Sequence, residues 1–204
     1  VLILHINTKY CRAATEQGHR VLAVGIGKKY AQPVEDAYAI AFSYRLDALA
    51  SNYLAVRLGA EKGPLSTRDY VIRLEAIPLG DDRTFIHLGY AYGYGWAGRL
   101  AMKTYLATIA SDKVGFTVIG RLDNGQPNYI GGMRGVAERN TMRYYLAIDA
   151  YLGALATPAP LQLKQRLNGW FDGTERYARQ LHEVSRADYI DMKVGEVDRQ
   201  QRSR

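Results

Sequence analysis

The sequence predicts an α+β fold: an antiparallel sheet of about six strands in the first half, then a long helix and further helices. Three observations predict it. Apolar residues alternate with period two through residues 1–92. The links between the alternating runs are too short for crossover helices, so the pairing is antiparallel. Beyond residue 134 the apolar spacing changes to that of a helix.

The strands follow in order. Residues 1–7 (VLILHIN) and 21–27 read as two weaker strands. In 38–46, Tyr38, Ile40, Phe42, Tyr44 and Leu46 share one face. In 53–60, Leu54, Val56 and Leu58 oppose Tyr53, Ala55 and Arg57. In 70–77, Tyr70, Ile72, Leu74 and Ala76 share a face, and in 84–92 so do Ile86, Leu88, Tyr90 and Tyr92. The alternation puts His87 on the opposite, polar face. Residues 47–51 and the turn Gly80-Asp81-Asp82-Arg83 supply short links with suitable turn chemistry. A sheet with one apolar face must cover it.

Covering helices are expected next. Residues 97–110 read as a helix. Residues 114–130 are ambiguous, with a possible strand over 114–119 and a turn at Asp123-Asn124-Gly125. Residues 134–155 form the clearest helix, with Tyr144, Ile148, Tyr151 and Leu155 on one stripe and Met142 and Tyr145 adjacent. Pro158 and Pro160 end it. A last helix is expected over 161–184, where Leu163, Leu167, Trp170, Phe171, Tyr177, Leu181 and Val184 recur at helical spacing; the polar tail 186–204 reads as a fraying end. The organisation is a domain over 1–155 and a helical extension over 156–204.

Composition limits the function classes. A chain of 204 residues buries enough surface to need no disulfide or metal. Cys11 is the single cysteine, so an internal disulfide and Cys-rich zinc sites are excluded, and it reads as a spectator. The net charge of +7 lies mostly in residues 93–143, which carry seven basic and three acidic side chains without a basic run, while 170–204 carries seven of each. That distribution argues against nucleic-acid binding. No apolar run of membrane-spanning length is present. Val1 opens directly into an apolar run without a signal-peptide pattern, so residues upstream are expected to be missing from this sequence.

Few constellations point to chemistry. Gly93, Gly95 and Gly98 spell G-x-G-x-x-G, but after an antiparallel strand and with bulky Tyr94 and Trp96 between them, so they read as a corner rather than a dinucleotide loop. Gly131, Gly132 and Gly135, beside Arg134 and Arg139, read as a tight helix entry more than an anion cradle. Glu138 with Arg139 or Arg143 is a weak acid/base candidate, with Asn140 completing the polar patch; a structural ion pair is the commoner role of such a group. His5, His19, His87 and His182 lack metal-ligand spacing, so no metal and no cofactor are expected. The aromatic set Tyr38, Phe42, Tyr44, Tyr70, Tyr90 and Tyr92, joined by Met142 and Tyr145, suits either a packed core or an apolar pocket with polar tips.

Six consecutive antiparallel strands followed by a long helix resemble the START-like superfamily (SRPBCC, Bet v 1-like, helix-grip). The segments RTFIHLGYAYGYGWAGRLAMKTYLATIASDKVGFTV (83–118) and GGMRGVAERNTMRYYLAIDAYL (131–152) further resemble a group of proteobacterial proteins without assigned function, many of which look exported. The resemblance covers about residues 1–155. It implies a curved sheet gripping the long helix around a cavity, with the first strand and two short helices of that fold lost before Val1. It implies binding or transport of a lipid, sterol, polyketide or other hydrophobic molecule, with peripheral membrane contact and a periplasmic or exported location as further expectations. It hands over no catalytic residue. The expected ligand contacts are Phe42, Tyr44, Tyr70, Ile72, Leu88, Tyr90, Tyr92, Met142, Tyr145 and Ile148. Two other readings stand beside this one: a cyclase- or hydrolase-like enzyme using Glu138 with a raised pKa in the cavity, and an interaction module docking a partner through exposed Trp170 and Phe171.

Overall fold

The alternating runs pair as one open antiparallel sheet in sequence order: β1 (Thr8–Glu16), β2 (His19–Ile26), β3 (Tyr38–Ala50), β4 (Tyr53–Lys62), β5 (Thr67–Gly80) and β6 (Arg83–Tyr94). The computed structural model describes residues 1–80, 83–95 and 112–202. The expected helix over 97–110, Asp81 and Asp82 of the turn, and Trp96 and Gly98 lie outside the described residues. β1 turns into β2 through Gln17 and Gly18, at φ +49° and +79°. Two consecutive positive φ values match the right-handed twist of the strands they join.

The register stacks the inner-facing side chains in rows. Phe42 lies beside Leu22, Tyr44 pairs with Leu58 and Leu58 with Ile72, and Ile72 pairs with Tyr90. The next row is Leu46, Val56, Leu74 and Leu88; the one after it is Leu49, Leu54, Ala76 and Ile86. The outer face carries a network of polar side chains. Glu75 accepts from Tyr53 Oη at 2.6 Å and Arg73 at 3.0 Å and sits 3.1 Å from His87 Nδ1, while Asp47 meets Arg45 at 2.5 Å. His87 is thus exposed on the face its parity assigns.

The N-terminal run corrects one expectation. Residues 1–7 are not a strand: Leu2–Leu4 form a 3-10 turn, and the first strand starts at Thr8. The apolar side chains of this run serve two sides, with Leu2 against the sheet and Leu4 and Ile6 among the helices. β1 carries a weak signal because residues 12–16 are exposed at the sheet edge. The ambiguous stretch closes a small hairpin, β7 (Val118–Arg121) with β8 (Pro127–Tyr129).

The helices are α1 (Gly132–Gly153), α2 (Ala159–Glu175), the single turn α3 (Ala178–Leu181) and α4 (Arg186–Arg202). Leu155, expected on the long helix, lies past its end and is exposed. α4 corrects the expectation of a fraying tail. Its Tyr189 Oη donates to Leu4 O at 2.8 Å, and the buried Lys193 donates to His5 O at 2.8 Å and Thr8 O at 2.7 Å. Glu196 accepts from Lys193 at 2.8 Å and from Lys9 at 3.0 Å. An apparently polar helix therefore buries its charges in pairs. α1, α2 and α4 share one core with residues 1–7, built around Leu146, Leu167, Trp170, Phe171 and Tyr189. Trp170 stacks on Tyr189 with ring centroids 4.7 Å apart. Trp170 and Phe171 are buried, so they are core and not an exposed docking pair.

Candidate functional site

The inner face of the sheet and one face of α1 leave an apolar groove between them, with a volume of about 990 Å³. All six strands contribute, chiefly through Leu22, Leu54, Val56, Leu58, Ile72, Leu74, Ile86 and Leu88. α1 contributes Tyr144, Ile148, Tyr151 and Leu152, and Val1 and Leu2 close another side. The polar side chains on its wall are Thr15, Arg20, Thr84 and the tyrosines Tyr44, Tyr144 and Tyr151. The row Leu49, Leu54, Ala76 and Ile86 marks the hairpin end of the groove, where Leu49 is 74% exposed.

One row beyond the opposite end lies a second cavity of about 180 Å³. Its walls include Phe42, Tyr70, Tyr90, Tyr92, Asn140 and His5, and Tyr144 lines both spaces. Tyr70 stacks on Tyr92 at 5.4 Å and donates its hydroxyl to Thr67 Oγ1 at 2.7 Å. Tyr90 and Asn140 share the wall of this cavity. Burial raises the hydroxyl pKa of Tyr90 and Tyr144 far above the ordinary range and pushes that of Tyr92 up to about 12, so all three stay neutral.

The ten expected ligand contacts divide. Tyr44, Ile72, Leu88 and Ile148 line the groove; Phe42, Tyr70, Tyr90 and Tyr92 line the smaller cavity. Met142 and Tyr145 line neither. Met142 packs on the helical core and Tyr145 faces solvent, because the apolar residues of α1 spread round the helix rather than forming one stripe. Leu54, Val56, Leu58 and Leu74 reach the groove by the same strand parity, though they were not among the expected contacts. His5 gave no signal, since its position depends on the 3-10 turn and on Lys193 holding its carbonyl.

The acid/base candidates fall elsewhere. Glu138 accepts from the N–H groups of Phe116 at 2.7 Å and Thr117 at 2.9 Å, from Thr117 Oγ1 at 2.7 Å and from Arg134 at 3.0 Å. Partial burial opposes ionisation, but these donors outweigh it and hold the carboxyl down at about 2. That is the reverse of the raised value a general acid requires. Arg139 donates to Val114 O at 3.0 Å, and Arg143 pairs with Glu183 at 2.6 Å. None of the three lines the groove or the smaller cavity. They fasten α1 to residues 114–117 and to Glu183. The glycine cluster has a packing role as well: a Cβ on Gly135 would lie 3.0 Å from Ile130 O and 3.1 Å from Gly115 N.

Searches against protein-family models, curated proteins and solved structures find nothing that matches this chain.

Proposed function

We propose that the protein binds or carries a hydrophobic small molecule or lipid in the groove between the sheet and α1. One observation carries this reading: a space of about 990 Å³ walled mainly by aliphatic side chains, to which six strands and a helix contribute. That volume stands at the upper end of the roughly 300–1,000 Å³ typical of ligand cavities. Apolar surface left to water costs about 25 cal/mol per Å², so an apolar occupant gains by covering it. The START-like resemblance points the same way, since helix-grip proteins hold hydrophobic ligands between sheet and long helix. Peripheral membrane contact fits the hairpin end of the sheet, where Leu49, Ile77, Leu79 and Phe85 are all exposed.

Native mass spectrometry of the purified protein, followed by lipid extraction, tests this reading. A co-purifying hydrophobic molecule is expected. Leu74→Trp, which puts a large ring into the groove, is expected to remove that adduct and to abolish binding of the neutral dye N-phenyl-1-naphthylamine while the thermal midpoint holds. Absence of both adduct and dye binding in the wild-type protein would sink the reading.

A further inference from the structure

His5 is buried at 3% exposure on the wall of the smaller cavity, and its Nε2 meets no hydrogen-bond partner among the described residues. The tautomer follows from its neighbour. The backbone N–H of Asn7 donates to His5 Nδ1 at 3.2 Å, so the ring proton sits on Nε2 and makes it a donor. A buried donor without a partner costs free energy, and the cavity beside it, whose wall also carries Asn7, Asn140 and four tyrosines, is where a partner fits. The ring is held from both sides. It lies 4.7 Å from the Tyr144 ring, and Lys193 grips the His5 carbonyl at 2.8 Å.

The surrounding charge has a sign. Lys29, Lys113 and Arg143 converge on Glu183, while Lys9 and Lys193 share Glu196, so five cations meet two carboxylates in these clusters. Burial first, then Arg143, Lys193 and Lys29, hold the His5 pKa well below its ordinary value. The three cations that add to the effect of burial on the ring favour an anion next to it.

The two spaces follow one another along the rows of the sheet and share Tyr144. Along β4, Leu54 marks the hairpin end of the groove and Ala60 the row of Phe42, Tyr70 and the small cavity; the six residue steps between them span roughly 20 Å. An extended single chain fits that run better than a compact ring system does. We infer that the occupant is a single-chain amphipathic carboxylate: its alkyl chain lies in the groove, passes beside Tyr144, and its carboxylate accepts a hydrogen bond from His5 Nε2 in the smaller cavity. This rests on the groove-binding reading above and adds the class of head group and the residue that receives it.

Competition against N-phenyl-1-naphthylamine separates the two. Oleate, oleyl alcohol and 1-octadecene are titrated into wild-type protein and His5→Phe, which keeps an aromatic ring against Tyr144 and removes the donor. Oleate is expected to bind at least tenfold tighter than 1-octadecene to the wild type and to lose about tenfold in the variant, with 1-octadecene unchanged. Because the variant risks misfolding, ¹⁵N NMR of the wild-type His5 ring gives a second readout: oleate is expected to shift Nε2 and 1-octadecene is not. Equal competition by all three, with no Nε2 shift, overturns the head-group assignment while leaving the groove intact. A His5-dependent preference for oleyl alcohol over oleate overturns the carboxylate. Failure of the dye itself to bind removes the groove reading and this inference with it.

Discussion

The protein has two apolar regions that treat their surface differently. Among the helices, Leu4, Ile6, Leu146, Leu167, Trp170 and Tyr189 are each at most 2% exposed and interlock with residues from distant parts of the chain. On the sheet, Val56, Leu74 and Leu88 of one row are only partly buried and face a space of about 990 Å³. Both regions were built from the same residue types. The difference lies in what covers them: α1 turns Leu146 and Ala147 into the helical core, and Tyr144, Ile148, Tyr151 and Leu152 are what it sets over the groove. A chain that closes one core to ordinary protein density and leaves another face open has room there for something else.

The contrast is open to attack by mutation. The largest effects are expected in the closed region. Trp170→Ala removes a buried ring stacked on Tyr189 and its Nε1 bond to Arg143 O, and is expected to cost about 3–5 kcal/mol in urea unfolding. Glu196→Ala leaves Lys9 and Lys193 buried without their shared carboxylate and is expected to cost about 3–5 kcal/mol as well. A small loss would mean that α4 docks loosely on residues 1–9.

Smaller effects sharpen the comparison. Glu138→Gln is expected to cost about 1–3 kcal/mol at neutral pH, through its charge-assisted bonds to residues 116 and 117. The sign follows from the lowered folded-state value. Glu138 contributes its full stabilisation above about pH 4.5, the value in the unfolded chain, and loses it as pH falls towards about 2. The variant should therefore show a flatter stability profile across that window, measured by thermal unfolding. Leu74→Ala, on the open face, is expected to cost less than about 1.5 kcal/mol, well short of a fully buried leucine. A loss of about 3 kcal/mol or more would show that the groove is closed in solution. His87→Ala on the polar outer face is expected to leave the thermal midpoint unchanged, since its partner Glu75 keeps Arg73 and Tyr53.

Strand parity was the most legible feature. The alternation in 53–60 and 70–77 places Leu54, Val56, Leu58, Ile72 and Leu74 on the groove face, because a strand's side chains have only two directions to point. The α1 face was less legible. Apolar residues surround much of this helix, so spacing alone does not say that Tyr144 and Ile148 face the sheet while Met142 faces the helices and Tyr145 faces water. The tail was misleading for a related reason: Lys193 and Glu196 read as solvent-exposed charges until their partners Lys9, His5 and Thr8 arrive from the other end of the chain.

By itself the sequence determined the α+β class, the antiparallel order of β2 to β6 and the inner face of the sheet, all of which follow from local periodicity and short links. Only the tertiary structure decided that residues 1–7 form a turn between two cores, that Glu138 is tied down outside both the groove and the smaller cavity, and that His5 stands on the wall of that smaller cavity with its Nε2 buried and unpartnered among the described residues. Each of these depends on contacts between residues far apart in the chain, and pattern within a single segment carries no record of them.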